Sequence, residues 1–164
     1  IDIISDTHGS VERTNYAITK LLEENVAHII HCGDVGSEEV LVEVATLLHE
    51  RGLKMDAALG NVDIHNTSVE NFPESSGINI KRDHRLSLAG KNILVIHGDD
   101  MLALRLAAED ENLDYIFTGH THEAADQHFG SVRVINPGAV YRAAEPSFAT
   151  LDLESDALKY FHIN

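Results

Sequence analysis

Short apolar runs separated by polar segments predict alternating strands and helices in the first third of the chain. Three of these runs are typical of β-strands, and they lie at 1–4, 27–30 and 57–59. Between the first two, residues 11–24 carry apolar side chains at near-helical spacing. A second helix is predicted after Ser37, with acidic residues in its first turn and Gly52 placed to end it. This order implies parallel strands joined by right-handed crossovers.

The pattern changes after residue 63. Residues 64–76 are polar and irregular, which predicts a surface loop or a short helix. Further strands are predicted at 78–81, 85–88, 92–96, 115–117, 124–128, 131–135, 147–152 and 157–163. A helix capped by Asp99 or Asp100 is predicted before the strand at 115–117. Parallel units followed by hairpins indicate an α/β fold, a four-layer α-β-β-α sandwich of two mixed sheets flanked by helices. No repeat or linker is visible, so residues 1–164 are predicted to form a single domain.

The acidic composition limits the kinds of molecule that the protein is expected to bind. The chain has 27 acidic and 12 basic residues and a formal net charge of −15, so we expect no basic nucleic-acid-binding surface. Bound divalent cations would reverse the charge locally, and a small phosphate ester could then bind. The apolar residues of the late strands could serve a core or a subunit contact, which leaves a homo-oligomer open.

The expected location is the cytoplasm. Cys32 is the single cysteine, which excludes an intrachain disulfide and fits a reducing compartment. No apolar run reaches the ~20 residues of a membrane span, and no signal-peptide pattern opens the chain. We therefore expect no association with a membrane.

Side chains that can bind metal ions follow five of the predicted strands. In chain order these motifs are Asp6-Thr7-His8, Gly33-Asp34, Gly60-Asn61, His97-Gly98 and Gly119-His120-Thr121-His122. Side chains at the carboxyl ends of neighbouring strands converge on one crevice, where open α/β sheets bind their ligands. We therefore expect these five scattered segments to form one metal centre.

The individual motifs differ in how strongly they indicate a metal. Asp6 and His8 are two residues apart, so in an extended segment they point to the same side. Asp34 has two carboxylate oxygens and could bridge two ions about 4 Å apart. Taken alone, each motif also fits a surface pair, a turn or a histidine at the edge of the core. Imidazole, carboxylate and amide donors without a thiolate suit manganese, iron, zinc, cobalt or nickel.

Some residues near these motifs are assigned no metal-binding role. Strand alternation directs Cys32 away from Asp34, and we predict that it packs as a small hydrophobic residue. The seven histidines outside the motifs are interpreted as surface or loop residues, among them His49, His65, His84 and His162.

Jointly, the five motifs resemble those of the calcineurin-like metallophosphoesterase superfamily. The segments 135–138 and 146–152 and the short length resemble its small bacterial and archaeal phosphodiesterase branch, to which a eukaryotic retromer subunit also belongs. The resemblance implies a metallo-dependent phosphatase-like fold with two divalent metal ions. It implies that one ion is held by Asp6, His8, Asp34 and His122, and the other by Asp34, Asn61, His97 and His120. Manganese is the expected metal, with nickel, zinc, iron, cobalt or magnesium as alternatives.

The resemblance also implies a reaction. A hydroxide that bridges the two ions would attack the phosphorus of a phosphodiester in line, without a covalent enzyme intermediate. Two positions that should face the substrate depart from the family pattern. Val62 replaces a histidine that directly follows the ligand asparagine in many larger relatives, and Asp99 replaces the second histidine of a His-Gly-His motif.

These departures affect the expected substrate. Without those imidazoles to protonate the leaving group, we expect a preference for aryl phosphodiesters over alkyl phosphomonoesters. The negative charge of Asp99 should also penalise dianionic monoesters. Two alternatives remain: a phosphomonoesterase or nucleotidase that uses the same site, and a non-catalytic protein-docking module. All seven candidate ligands are present, which favours catalysis.

Overall fold

A computed structural model of the protein describes residues 1–24 and 27–163. Its strands β1 to β11 are Asp2–Ile4, Ile29–His31, Met55–Ala58, Ile78–Lys81, Asp83–Leu88, Lys91–Ile96, Tyr115–Phe117, Ala124–Phe129, Val132–Pro137, Ser147–Asp152 and Ala157–His162. Its helices α1 to α4 are Val11–Leu22, Glu38–Arg51, Thr67–Glu70 and Met101–Ala108, and a 3₁₀ turn spans Glu74–Ser76. The predicted single domain over 1–164 also includes residues 25, 26 and 164, which lie outside the described part.

The first sheet contains the parallel units predicted at the start of the chain. Its strand order is β11-β10-β1-β2-β3-β4, and β1 to β4 run parallel. Ile3 lies opposite Ile30, which fixes the register of the two central strands. The last hairpin, β10 and β11, joins the edge of this sheet through an antiparallel pairing of β10 with β1.

The second sheet is also mixed. Its strand order is β5-β6-β7-β9-β8, with β6, β7 and β9 parallel and an antiparallel strand at each edge. Helix α4 connects β6 to β7. The carboxyl ends of β6 and β7 therefore meet at one edge of this sheet, as those of β1, β2 and β3 do in the first sheet.

Three apolar clusters separate the layers of the fold. The first packs α1 and α2 against the first sheet and includes Ile4 and Leu41. The second lies between the two sheets and joins Ile3 to Phe117, and the third packs α4 onto the second sheet. Ile3 and Ile4 enter different clusters because successive side chains of a strand point to opposite faces. The predicted four-layer α-β-β-α sandwich is confirmed, and so is the packing of Cys32 in the cluster between the sheets.

Most element boundaries agree with the sequence pattern to within two residues. The helix predicted at 11–24 ends at Leu22, and β2 and β3 are each displaced by one or two residues. The polar segment 64–76 contains the short helix α3 and the 3₁₀ turn. Of the two candidate caps of α4 it is Asp100 that caps the helix, since its carboxylate accepts hydrogen bonds from Leu102 N and Ala103 N. No helix in the ranges 1–24 and 27–163 has the length and apolar character needed to cross a bilayer.

The prediction that His84 lies at the surface is wrong. His84 is 3% exposed, and its Nε2 lies 2.9 Å from the carbonyl oxygen of Ala57 on the other sheet. Its Nδ1 lies 3.4 Å from Asp56, whose carboxylate also bonds His28 and Asn79. This polar group links β5 to β3 across the sandwich, so His84 is buried because partners from remote segments satisfy it.

Candidate metal centre

The seven candidate ligands lie on five loops that follow β1, β2, β3, β6 and β7. Backbone hydrogen bonds tie these loops to one another. Asp6 N–H donates to the carbonyl of Gly33, and His8 N–H donates to the carbonyl of Asp34. Gly119 N–H donates to the carbonyl of His97 in the second sheet. Between the sheets, the backbone N–H of His120 donates to Asp6 Oδ2, so the crevice is built from both sheets, as the strand-end pattern predicted.

Left-handed backbone conformations concentrate at the candidate ligands. Nine non-glycine residues have positive φ angles in the described chain, and five of them are candidate ligands: Asp6, His8, Asp34, His120 and His122. This region is unfavourable for residues with a Cβ atom, and such strain clusters at functional sites. The fold therefore holds these side chains in place against their backbone preference.

Glycines precede several ligands because the loops approach each other too closely for a side chain. A Cβ atom on Gly60 would lie 2.1 Å from Oδ1 of Asp34. One on Gly33 would lie 2.6 Å from Nδ1 of His97, and Gly33 also has a φ of 102°. The glycines of these two motifs therefore bring Asp34 next to His97 and the Asn61 loop.

Five of the seven candidate ligands form two compact groups that share Asp6. The first contains Asp6, His8 and His122, and the second contains Asp6, Asp34 and His97. In the first, His122 Nε2 lies 3.2 Å from Asp6 Oδ1 and 3.0 Å from His8 Nε2. In the second, His97 Nε2 lies 3.3 Å from Asp34 Oδ1. Asp34 Oδ2 lies 3.8 Å from His8 Nε2, so its two oxygens face different histidines.

The hydrogen bonds of two histidines test whether a cation fits this arrangement. Nδ1 of His97 lies 2.9 Å from the carbonyl of Cys32, and Nδ1 of His122 lies 3.0 Å from the carbonyl of Arg142. A carbonyl can only accept, so each Nδ1 carries a proton, and in the neutral imidazole each Nε2 then presents a lone pair. These lone pairs face carboxylate oxygens, and both His97 Nε2 and Asp6 Oδ1 are buried without a hydrogen-bond partner. A divalent cation between them satisfies both acceptors, so the residues fit a metal ion.

Protonation in the crevice reflects burial and mutual charge. Burial raises the pKa of Asp6 above its ordinary value. Burial alone would also raise the pKa of Asp34, but the adjacent His97 imidazole and the hydrogen bond from Val62 N–H hold it below its ordinary value. Burial lowers the pKa of His8, which keeps its imidazole neutral. A cation in the crevice would hold both carboxylates ionised.

The remaining candidate ligands, Asn61 and His120, lie at the open side of the crevice. Both are exposed, and His120 belongs to neither compact group. The ring of His120 packs edge-on against that of His97, with centroids 5.1 Å apart. The backbone N–H of His120 donates to Asp6 Oδ2. Asn61 lies between Gly60 and Val62, and Val62 N–H donates to Asp34 Oδ1 at 2.9 Å. The structure therefore brings all seven residues to one crevice, and the ligand atoms of five of them lie in the two compact groups.

Asp63 positions two of the ligand loops and was missed in the sequence. It is fully buried, and its carboxylate accepts hydrogen bonds from the N–H groups of Val35, Gly36 and Gly60. It thereby joins the loop of Asp34 to the loop of Asn61. A turn containing an acidic residue two positions after a ligand was the available signal, but an acidic residue in a loop is most often a solvated one.

His31 and Asn136 also position ligand loops. The interpretation of the non-motif histidines as surface or loop residues is wrong for His31, which is fully buried. Its Nε2 lies 3.0 Å from Thr7 Oγ1 and its Nδ1 accepts from Gly33 N–H, and burial lowers its pKa to about 3. Asn136 is buried, and its amide donates to the carbonyl of Gly119 and to Thr121 Oγ1, which fixes the loop that carries His120 and His122.

The two positions expected to face the substrate differ in their surroundings. Val62 is 43% exposed at the rim. Asp99 forms a bidentate pair with Arg82, with distances of 2.7 and 2.8 Å, and Arg82 also donates to the carbonyl of Leu59. Because the guanidinium offsets the charge of Asp99, the expected penalty against dianionic monoesters has less support than the sequence suggested.

Comparisons with known proteins agree with this architecture. A family model described as the calcineurin-like phosphoesterase superfamily domain matches residues 1–156. The chain is 30% identical over 158 residues to the phosphodiesterase MJ0936 of Methanocaldococcus jannaschii, an alignment that covers 94% of this chain and 93% of that protein. Among solved structures, a novel archaeal phosphodiesterase superposes with a TM-score of 0.89 at 27% identity, covering 99% and 98% of the two chains. A Vps29 mutant from Entamoeba histolytica shares the fold, with a TM-score of 0.59, 18% identity and coverage of 99% and 98%.

Proposed function

The chain belongs to the calcineurin-like phosphoesterase superfamily, and from this premise we propose that it is a dinuclear metal-dependent phosphodiesterase. One observation carries the proposal. Histidine lone pairs face carboxylate oxygens in a buried crevice, as between His97 Nε2 and Asp34 Oδ1 at 3.3 Å. A metal ion between such facing acceptors would satisfy them both, whereas buried polar groups that stay unsatisfied cost free energy.

The two-ion assignment rests on Asp34. Its two oxygens face His97 and His8, which lie on loops of different sheets, so one carboxylate can serve two ions. We assign one ion to Asp6, His8, Asp34 and His122. The other is assigned to Asp34, Asn61, His97 and His120. Manganese is the proposed metal, because imidazole, carboxylate and amide donors without a thiolate suit it.

The ions would supply a hydroxide near neutral pH and neutralise charge on the phosphoryl oxygens. The protein's own residues decide which leaving group departs. At the rim, Val62 has no proton to give, and the carboxylate of Asp99 is engaged by Arg82. The oxygen of the leaving group must therefore depart as an anion or take its proton from water. This supports a preference for aryl diesters, whose phenolate leaving groups are stable anions.

A phosphomonoesterase is the second candidate function. The Arg82 guanidinium offsets the charge of Asp99, and this favours the admission of a dianionic phosphate more than the sequence alone did. The non-catalytic docking alternative predicts no turnover of either substrate class, so one set of assays separates the three functions.

The test reconstitutes metal-free protein with manganese, nickel, zinc or magnesium. Each form is assayed with bis(p-nitrophenyl) phosphate, with p-nitrophenyl phosphate and with an alkyl monoester. We expect the aryl diester to be hydrolysed fastest. A faster rate on the alkyl monoester would overturn the diester assignment, and absence of turnover with every metal would overturn catalysis.

Asp34→Asn tests the bridging role. We expect at least about a hundredfold lower kcat, because the amide offers only one strong acceptor to two ions. Asp114→Asn is the matched control, since Asp114 lies before β7 at the opposite end of the sheet from the ligands and bonds Asn92 N–H. Turnover by Asp34→Asn equal to that of the control would show that the bridge is wrongly assigned.

A further inference from the structure

Two arginines without carboxylate partners contact the ring of one tyrosine beside the candidate metal centre. The Cζ atoms of Arg13 and Arg142 lie 5.8 and 5.9 Å from the centroid of the Tyr141 ring. Most other basic side chains pair with acids, as Arg133 does with Asp126 at 2.9 Å. Within residues 1–24 and 27–163, neither Arg13 nor Arg142 has a carboxylate oxygen within 4.0 Å. In a chain with 27 acidic residues, these two arginines thus contact the same tyrosine ring while lacking such a partner.

The segment that carries this group is fixed to the metal centre. Tyr141 N–H donates to the carbonyl of Asp6, and the carbonyl of Arg142 lies 3.0 Å from Nδ1 of His122. Arg13 lies in the first turn of α1, which begins three residues after His8. The three side chains therefore stand at the side of the crevice formed by Asp6, His8 and His122.

Both arginines occupy positions that local structure disfavours. Arg142 has a φ of 60°, in the left-handed region that penalises residues with a Cβ atom. Arg13 places a positive charge at the N-terminus of a helix, where the helix dipole favours a negative one. Tyr141, which holds them through cation–π contacts, is 38% exposed. Local structure therefore favours neither arginine at its position, and a negatively charged ligand would account for both side chains.

We infer that Arg13 and Arg142, assembled on the ring of Tyr141, form a subsite for a second phosphate group of the substrate. The substrate class is then a phosphodiester that carries a separate terminal phosphate, which extends past Asp6, His8 and His122 when the scissile group lies in the crevice. Guanidinium groups suit this role because their planar array of donors matches phosphate oxygens. A local positive group on a protein of net charge −15 would also direct such a substrate to the crevice. That the phosphodiester in the crevice is cleaved rests on the proposed function.

The test compares two esters that differ only in the remote phosphate. These are thymidine 5′-(p-nitrophenyl phosphate) and its 3′-phosphorylated derivative, each of which loses p-nitrophenolate when water adds to the 5′ phosphorus. We expect the ratio of kcat/KM values, phosphorylated over unphosphorylated, to be about ten in the wild-type protein. In the double variant Arg13→Gln, Arg142→Asn we expect a ratio of about one. Asparagine tolerates left-handed φ angles, so it fits the backbone at position 142.

Arg51→Gln is the control, because Arg51 is an exposed arginine at the end of α2 that bonds only the carbonyl of Leu22. It should keep the wild-type ratio. A second readout uses metal-free protein: thymidine 3′,5′-bisphosphate should shift the Nε–H resonances of Arg13 and Arg142, and thymidine should not.

The outcomes separate the inference from the proposed function. If neither ester is hydrolysed but the arginine resonances shift, the subsite stands and the phosphodiesterase proposal falls. If both esters are hydrolysed at similar rates, or the double variant keeps the wild-type ratio, the subsite is overturned while the hydrolytic function stands.

Discussion

At the scale of single residues, several candidate ligands are held in strained backbone conformations. Asp6, His8 and Asp34 all have φ angles between 45° and 56°, and each such residue costs of order 1 kcal/mol or more relative to an extended one. Strain of this kind persists only where surrounding hydrogen bonds over-determine the conformation. Buried side chains that bond several loop N–H groups are therefore as important to the site as the ligands.

Asp63 is the clearest case, and we predict that Asp63→Ala destabilises the fold by about 3 kcal/mol. The substitution leaves three loop N–H groups, of Val35, Gly36 and Gly60, without their acceptor. These three groups lie on the two loops that carry Asp34 and Asn61, so metal affinity should fall as well. Urea denaturation measures the first effect and metal titration the second.

Asp152→Ala is the matched control for this prediction. Asp152 also accepts hydrogen bonds from two N–H groups, of Glu154 and Ser155, but it is exposed, so water replaces it. It should cost far less stability and leave metal affinity unchanged. Equal effects of the two substitutions would show that Asp63 does not position the site.

His31 should make the stability of the metal-free protein depend on pH. Burial lowers the pKa of His31 from 6.5 to about 3 in the folded state. The unfolded chain therefore binds a proton between these values that the folded protein does not. The contribution of His31 to stability is fully present above pH 6.5 and is lost as the pH falls towards 3.

The free energy of unfolding, measured in urea between about pH 4 and 8, tests this sign. His31→Gln removes the titrating group but keeps a donor for Thr7, so its stability should fall less steeply as the solution is acidified. The exposed His49 serves as the control, because His49→Gln should keep the wild-type slope. The same slope in all three proteins would contradict the assignment.

At the scale of secondary-structure elements, two of the helices predicted from the sequence, α2 and α4, differ in how their N-termini are capped. Asp100 accepts hydrogen bonds from two N–H groups at the start of α4, whereas Ser37 makes no side-chain capping bond at the start of α2. We predict that Asp100→Ala costs about 1 kcal/mol and that Ser37→Ala costs little. Thermal unfolding of the two variants decides this, and an equal loss from both would show that the observed capping bonds of α4 contribute nothing.

The elements themselves could be predicted because hydrophobic periodicity is local information. Strand ends followed by Asp6, Asp34 and His97 were visible in the sequence, since a parallel sheet brings consecutive strand ends to one edge. The burial of His31, Asp63 and His84 was not visible. Each is buried because groups on other elements satisfy its polar atoms, as Ala57 does for His84, and such partners are identified only in the folded chain.

At the scale of the whole molecule, the candidate ligands are divided between the two sheets. Asp6, His8, Asp34 and Asn61 follow strands of the first sheet, and His97, His120 and His122 follow strands of the second. Other polar groups also link the two sheets, among them the group around Asp56 and His84 and the ion pair of Arg133 with Asp156. A cation held by both sets would therefore join the sheets at the edge where their strand ends meet, and would neutralise part of the net charge of −15.

Metal removal should consequently lower the stability of the whole fold and not only its activity. A ligand that binds only the folded state at a hundred times its Kd adds about 2.7 kcal/mol, which for a domain of this size corresponds to roughly 5–10 °C in Tm. We expect this rise when manganese is added to chelator-treated protein. Asp34→Asn should lose most of the rise in Tm, because Asp34 faces histidines of both sheets, and Asp114→Asn should keep it.

Hydrogen exchange should show slower opening of the loops after both β2 and β6 when manganese is present. Protection confined to one sheet would show that the ion does not bridge the layers, even if activity required it.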